Sequence, residues 1–360
     1  MKKQLALTLA AAMTISLFAG CGSAAGSSSA PAASAAPASS GAASEAAASG
    51  TSEKKTYTFK YAELNPDGHI MDECADKFAE LVKEKSDGRI TIEVFPAGQL
   101  GDEKTAYQSV QMGGGAIDMT RGNTNSLVDF GVKKLSLFGL PFIFRDREHL
   151  WNVLNSEIGD EFLKEPQEVG TGMVGLFYLD EGSRNFFTVK NKPVSSIDDF
   201  KGMKLRVPTT DLMSETVAAM GIQSTPISFS ELYSALQAGT VDGAEQPHSG
   251  YFSNKFYEVA PNYILTGHTY SPSIILMSEQ VWNTLDEEDQ AIIKEASKET
   301  EAWNKENIEK LDADLLEQIK AAGANVIEVP DKTPYIEATK SVVDKYIAGL
   351  EDYYQKIVSM

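Results

Sequence analysis

A helical pattern without any glycine or proline runs from Asp286 to about Ala322, and it constrains the architecture more than any other feature of the chain. A helix of that length is unusual within a compact domain. It suits a strut that spans two lobes, and residues 56–360 are numerous enough to form two domains. The sequence therefore predicts two lobes that share one long helix.

Strands and helices alternate in the segment that follows the N-terminal region. The strand patterns cover residues 56–64, 89–95 and 116–123. One helix pattern covers 71–85, and residues 96–103 open a second helix that runs to about Met112. An order of strand, helix and strand is typical of a parallel βαβ unit. The fold class is therefore predicted to be α/β.

Two short segments are predicted to carry the chain between the lobes. A buried strand at 173–179 leads into Asp180-Glu181-Gly182, which we interpret as the first crossing. Ser271-Pro272 precedes another apolar strand at 273–278, which we interpret as the return crossing. We expect the first lobe to comprise 56–181 and 271–310, and the second lobe to comprise 182–270 and 311–360.

One arginine lies where an α/β sheet binds ligands. In KGMKLRVP (201–208) apolar and polar residues alternate, Pro208 ends the strand, and Thr209 or Thr210 can cap the helix that follows. Arg206 is therefore at the carboxyl end of a strand that leads into a helix, which is the usual place for a ligand. A guanidinium offers a planar fork of donors that matches a carboxylate. The alternative is an ordinary surface or structural arginine.

If the chain crosses twice, strand ends from both lobes face one cleft. The candidate ligand-binding residues are Glu63, Asn65, His69, Arg121 and Asn123 in the first lobe, and Arg184, Arg206, Phe229, Glu245, Gln246 and His268 in the second. A buried arginine is tolerated only beside an anion. Glu245 or Glu63 is the candidate partner in the empty protein, and a ligand carboxylate is the candidate in the bound protein. Glu245 can instead close a structural ion pair, and Phe229 can belong to the core.

The N-terminus is typical of an exported lipoprotein. Residues 1–20 combine a basic start with an uncharged apolar stretch and two small residues before Cys21. Residues 21–55 consist mainly of Ala, Ser, Gly and Pro, which favours a flexible linker. We expect a lipoprotein signal peptide at 1–20, lipid on Cys21 and a tether up to residue 55. A secreted form without lipid is the alternative.

The charge of the chain excludes some classes of partner. The formal net charge is −19, and removal of residues 1–20 takes away two lysines and no acid, which makes it −21. Such a charge argues against nucleic acid and against electrostatic attachment to anionic lipid. A local arginine pair can still bind an anion.

No catalytic or metal-binding motif is present in the sequence. The chain has neither a nucleophile elbow nor an H-E-x-x-H motif, and the glycine run at 113–115 lacks a phosphate-binding pattern. The four histidines show no spacing suited to a zinc site. If Cys21 carries lipid, Cys74 has no disulfide partner, and its helical surroundings favour a core position. We expect a protein that is not an enzyme and that binds no metal or cofactor.

Several motifs resemble those of one transport family. GSRNFF (182–187), LRVP (205–208), the segment 226–236 and DGAEQP (242–247) resemble the substrate-binding proteins of tripartite ATP-independent periplasmic (TRAP) transporters, as do PAGQLGD and LPFIFRD. The resemblance covers about 57–355. It implies a two-lobed periplasmic-binding-protein fold in which each lobe is a mixed sheet flanked by helices.

The resemblance also implies roles for single residues. Arg206 matches the arginine that grips the ligand carboxylate, and Arg184 matches a second, upstream arginine. Phe229 and His268 fall on positions that line the pocket in relatives. Gln246 replaces the usual asparagine, which keeps an amide but lengthens the side chain.

We predict a sugar acid, namely a hexuronate, as the ligand. The candidate site holds more hydrogen-bonding groups than a small dicarboxylate satisfies, and unpaired buried polar groups are costly. The spacing of Glu63, Asn65 and His69 also resembles the sugar-acid branch of the family. We expect a monomer that delivers its ligand to the TRAP membrane permease. The alternatives are a C4-dicarboxylate-binding TRAP protein and a solute-binding lipoprotein of an ATP-driven importer.

Overall fold

The structure is a computed structural model that describes residues 54–113 and 115–360. The predicted signal peptide at 1–20, Cys21 and nearly all of the predicted linker lie outside the described residues. Within the described part, no helix combines the length and the apolar character that a membrane crossing requires.

The strands form two separate sheets. In chain order they are β1 (Tyr57–Ala62), β2 (Ile90–Phe95), β3 (Met119–Asn123), β4 (Met173–Leu179), β5 (Arg184–Thr188), β6 (Lys204–Val207), β7 (Gln223–Pro226), β8 (Gly243–Gln246), β9 (Asn262–Thr269), β10 (Ser273–Ser278) and β11 (Asn325–Glu328). The first sheet has the order β2-β1-β3-β10-β4, and the second has the order β11-β9-β5-β8-β6-β7. Each sheet contains both parallel and antiparallel pairs, so both are mixed, as predicted.

Helices cover both sheets. They are α1 (Ile70–Lys85), α2 (Glu103–Met112), α3 (Arg147–Leu154), α4 (Glu157–Glu168), α5 (Asp211–Ala219), α6 (Leu232–Gln237), α7 (His248–Ser253), α8 (Glu279–Trp282), α9 (Glu287–Ala321), α10 (Thr333–Tyr346) and α11 (Glu351–Ser359). Thr210 caps α5 by accepting a hydrogen bond from the amide of Met213, which confirms one of the two predicted caps.

Both sheets bury apolar side chains on two faces. Along β10, Ile274 and Leu276 belong to one hydrophobic cluster, whereas Ile275 and Met277 belong to another on the opposite face. Consecutive phenylalanines of β5 separate in the same way, with Phe186 on one side and Phe187 on the other. Each sheet is therefore the middle layer of a three-layer lobe.

Two crossings and one helix join the lobes. The chain leaves the first sheet after Leu179 and enters the second at Arg184, then returns between Thr269 and Ser273. Helix α9 begins after its cap Asp286 and packs on α1 and β4 of the first lobe and on α7 and β11 of the second. Its 35 residues extend for about 50 Å, which makes it the predicted strut.

The C-terminal segment departs from the predicted lobe assignment. Gly349 has a φ of +81°, and this left-handed conformation separates α10 from α11. Furthermore, α11 buries Ile357 in a cluster of the first lobe, and its Tyr353 ring lies 5.2 Å from that of Phe162. Assigning all of 311–360 to the second lobe was therefore wrong for α11. The other lobe boundaries remain a proposal.

Candidate functional site

A cleft lies where strand ends of the two sheets meet. It has a larger part of about 400 Å³ and a smaller part of about 60 Å³. Both parts are lined by Leu64, Glu103, Ser126, Arg206, Pro208 and Phe229, so they form one continuous space. The smaller part also reaches Asn65, Arg121, Asn123, Glu181, Arg184 and Gln246. The structure thus brings seven of the eleven predicted residues to the wall of one cleft.

Arg206 stands out because no carboxylate of the described residues matches its charge. The residue is 3% exposed, and its Nε donates a hydrogen bond of 2.8 Å to the carbonyl oxygen of Ile227. Nη1 is buried without a partner, and no carboxylate of the described residues forms an ion pair with Arg206. Its Cζ atom lies 5.8 Å from the centroid of the Phe229 ring, so Phe229 shares the wall with it.

Burial also makes the charged form of Arg206 less favourable. It lowers the pKa of Arg206 to about 10; Glu245 opposes this shift, and the nearby Arg184 adds to it. The side chain is therefore still a cation at neutral pH, in a site that disfavours a cation. An anion that enters the cleft would relieve this cost.

Arg184 is neutralised by the protein. Its Nη2 donates to Oε1 of Glu245 at 2.9 Å, and its Nε donates to the other carboxylate oxygen. The pair forms because Phe186 of β5 lies opposite Glu245 of β8 in the antiparallel register. Glu245 is completely buried and does not line the cleft. The sequence left Glu245 and Glu63 open as partners of a buried arginine. In the structure Glu245 pairs with Arg184 and not with Arg206.

Arg121 is also paired. Its Nε donates to Oε2 of Glu63 at 2.9 Å, and its Nη1 donates to the hydroxyl of Ser273 at 3.0 Å. Oε1 of Glu63 accepts hydrogen bonds from the backbone and side-chain nitrogens of Asn65, at 2.8 and 2.9 Å. Glu63 is 1% exposed and stands behind Arg121 and Asn65, so it supports the wall without lining it.

The two predicted histidines lie behind the cleft wall. His69 caps α1, where its Nδ1 accepts a hydrogen bond from the amide of Met71. His268 stacks on Phe186 with ring centroids 4.2 Å apart, and its Nδ1 is 2.9 Å from the hydroxyl of Thr266. Burial lowers the pKa of both histidines to about 3, so both are neutral. Neither side chain lines the cleft, and a supporting role fits both better than contact with a ligand.

Two side-chain amides of the cleft differ in whether they already form hydrogen bonds with the described residues. Asn123 donates to the carbonyl oxygen of Ser271 at 3.0 Å and accepts from the hydroxyl of Ser271 at 2.7 Å, so the second crossing occupies it. The side-chain amide of Gln246 has no hydrogen bond within the described part of the chain. A Cβ atom at Gly250 would lie 2.6 Å from Oε1 of Gln246. The absence of a side chain at Gly250 thus makes room for the extra methylene of Gln246.

Sequence reasoning missed four acidic residues of the cleft, namely Asp102, Glu103, Asp129 and Glu181. Glu103 begins α2 and accepts hydrogen bonds from the Asn123 amide at 3.1 Å, the Ser126 hydroxyl at 2.9 Å and the Tyr107 hydroxyl at 3.1 Å. Glu181 lies on the first crossing and is 6% exposed. The G-D-E turn before α2 and the D-E-G crossing were both recognised as structural features, and their acidic residues were the available signal.

The chain matches a known family along most of its length. Residues 61–349 match the family described as bacterial extracellular solute-binding protein, family 7. The sialic acid-binding periplasmic protein of Vibrio cholerae is 30% identical over 287 residues, which cover 79% of this chain and 86% of that protein.

Solved structures of similar proteins contain bound sugar acids. A TRAP periplasmic solute-binding protein from a Bradyrhizobium species, in complex with galacturonate, is 34% identical with a TM-score of 0.80, covering 84% of this chain and 100% of that one. Another from Pseudomonas putida, with bound D-glucuronate, is 33% identical with a TM-score of 0.80, covering 84% and 97%. These similarities agree with the two lobes and the cleft described above.

Proposed function

Because this chain belongs to the TRAP periplasmic solute-binding proteins, within family 7 of the bacterial extracellular solute-binding proteins, we propose that it captures a hexuronate through Arg206 and delivers it to a TRAP membrane permease. The family consists of transport proteins that act outside the cytoplasm, and it is not a family of enzymes. Four points go beyond the family assignment and are proposed here: the identity of the ligand, its contact with Arg206, its delivery to a permease, and a lipid anchor at Cys21.

The unmatched charge of Arg206 carries the proposal. Arg184 and Arg121 each hold a carboxylate of the protein, whereas Arg206 is just as deeply buried and holds none among the described residues. A ligand carboxylate at Arg206 would supply the missing acceptor and the missing charge. Arg184 would assist through its positive field rather than as the main contact.

The other groups in the smaller part of the cleft favour hydroxyls over a second carboxylate. Glu103 and Glu181 present carboxylates to the cleft, and Asn65, Ser126 and Gln246 add neutral polar groups. Carboxylates accept hydrogen bonds from hydroxyls and repel anions. A C4-dicarboxylate would place its second anionic end in this surrounding, whereas a hexuronate has one carboxylate and several hydroxyls. The uronates bound by the two similar structures support the same choice.

A ligand panel tests the proposal. We expect D-glucuronate or D-galacturonate to raise the unfolding temperature of the purified protein, because a ligand that binds only the native state stabilises it. Calorimetry of the best ligand then gives its affinity. D-gluconate, succinate, malate and sialic acid serve as comparisons in the same buffer. A shift with succinate or malate but with no sugar acid would contradict the choice of ligand.

A lipid anchor at Cys21 completes the proposal, and the signal-like sequence before Cys21 supports it. Thioether attachment requires the thiol, so Cys21→Ser should release the protein from the membrane fraction and abolish incorporation of labelled fatty acid. Cys74→Ala is the matched control, because Cys74 is completely buried in the first lobe. Membrane retention of the Cys21→Ser protein would rule the anchor out.

A further inference from the structure

Glu181 is a buried acidic residue that lines the cleft. Its side chain borders the smaller part of the cleft, which Arg121, Arg184 and Gln246 also line. Within the described residues no donor forms a hydrogen bond with its carboxylate. The nearest cation is Arg121, whose Nη1 lies 3.4 Å from Oε1 of Glu181. Glu103, in contrast, accepts three hydrogen bonds from the protein.

The contact with Arg121 does not satisfy Glu181. Nη1 of Arg121 donates to the hydroxyl of Ser273 at 3.0 Å, and although Nη1 carries a second N–H, it forms no hydrogen bond with Oε1 of Glu181, which lies 3.4 Å away. Arg121 therefore balances the charge of Glu181 without supplying a hydrogen bond. Its carboxylate faces the cleft, so solvent supplies the donor in the empty protein and a ligand can supply it in the bound protein.

The backbone around Glu181 is firmly held. The amide of Asp180 donates to Asn304 of α9 at 2.8 Å, and the Asn304 side chain returns a bond of 3.1 Å to the Asp180 carbonyl. The hydroxyl of Ser249 donates to the carbonyl oxygen of Glu181 at 3.1 Å. Arg147 binds the Asp180 carboxylate at 2.6 Å. The backbone that carries Glu181 is thus set in place before any ligand arrives, which limits the entropy lost on binding.

The charges near Glu181 decide which donor suits it. Arg121 contacts it, and the field of Glu181 also acts on Arg184. An ammonium group at this point would face two guanidinium groups, and a second ligand carboxylate would face Glu181 itself. A neutral hydroxyl meets neither repulsion.

We propose that Glu181 is a specificity-determining residue that accepts a hydrogen bond from one hydroxyl of the bound acid. This inference rests on the proposed function, since Arg206 must hold the carboxylate for the hydroxyl to reach Glu181. According to this inference, Glu181 on the first crossing makes the protein prefer a hydroxylated acid over the analogue that lacks the hydroxyl.

The test compares D-glucuronate with its 2-, 3- and 4-deoxy forms by calorimetry. The parent protein should lose about 10- to 100-fold in affinity for one deoxy form, because the buried carboxylate is then left without a donor. Glu181→Ala should lose a similar factor for D-glucuronate and nothing further for that deoxy form. Glu181→Gln keeps an acceptor oxygen without the charge and should lie between. Glu168→Gln, at an exposed position, should match the parent throughout.

Several results would overturn the inference. Equal losses for D-glucuronate and all deoxy forms in both Glu181 variants would indicate a structural role instead. So would unchanged affinities in both variants. Tighter binding of 2-amino-2-deoxy-D-gluconate than of D-gluconate would show that the carboxylate serves an ammonium. Failure of D-glucuronate, D-galacturonate and D-gluconate to bind the parent would overturn the proposed function together with this inference, and that outcome is seen before any Glu181 variant is measured.

Discussion

Arg206→Ala is expected to weaken D-glucuronate binding by about 2–5 kcal/mol, because the ligand carboxylate loses the partner that neutralises it in a buried site. Arg206→Lys should recover little of this loss, since an ammonium group cannot reproduce the bidentate fork. Isothermal calorimetry at neutral pH measures both variants. The reason for a large effect is the condition of the empty protein, in which Arg206 is buried and holds no carboxylate of the described residues.

The stability of the ligand-free variants separates loss of binding from loss of folding. Removing an unmatched buried charge should leave the unfolding temperature of the empty protein unchanged or raise it. Lys190→Ala removes a positive charge from an exposed position just after β5 and should bind like the parent. Near-parent affinity of Arg206→Ala would refute the carboxylate contact and, with it, the main support for the proposed function.

Glu245→Gln is expected to lower the free energy of unfolding by about 3–5 kcal/mol, because it leaves the Arg184 guanidinium buried without its counter-charge. Glu245 is completely buried, and both of its oxygens accept hydrogen bonds from Arg184. An amide has one acceptor oxygen and would direct its NH₂ group towards a cation. Denaturant unfolding of the ligand-free protein measures the change.

Two further proteins make the Glu245 result specific. Asp314→Ala removes one partner of an exposed ion pair with Lys310, and such pairs contribute about 1 kcal/mol or less. Combining Glu245→Gln with Arg184→Met removes the orphaned charge and should restore part of the lost stability. A loss for Glu245→Gln no larger than that for Asp314→Ala would contradict the structural role of the pair.

The elements around Arg206 were predictable because local patterns determine them. Alternating residues and Pro208 indicated β6, and a threonine cap indicated the helix that follows. In the structure Arg206 is 3% exposed, with the Phe229 ring centroid 5.8 Å from its Cζ atom and the carbonyl oxygen of Ile227 bonded to its Nε. These contacts come from a later segment of the chain, and no pattern within β6 records them.

The pairing of charges was not predictable from the sequence. Arg184 meets Glu245 through the register of β5 and β8, and Arg121 meets Glu63 across neighbouring strands. Any of the buried acids was compatible with any of the arginines until this register was known. Residue types and strand ends identified seven residues of the cleft wall. Only the contacts in the structure distinguished the residues that line the cleft from those that support the lining residues from behind.

The position of β10 has a consequence for how the protein assembles. This strand lies between β3 and β4 in the first sheet, yet the chain makes it only after every strand of the second sheet except β11. Until residue 278 is available, β3 and β4 each present an open edge, and exposed edges promote aggregation. The first lobe is therefore not an autonomous folding unit, and a fragment that ends before β10 cannot complete its sheet. Contacts between residues so distant in sequence also slow folding. A chain of this topology that is exported unfolded would have time to cross a membrane before its first sheet closes.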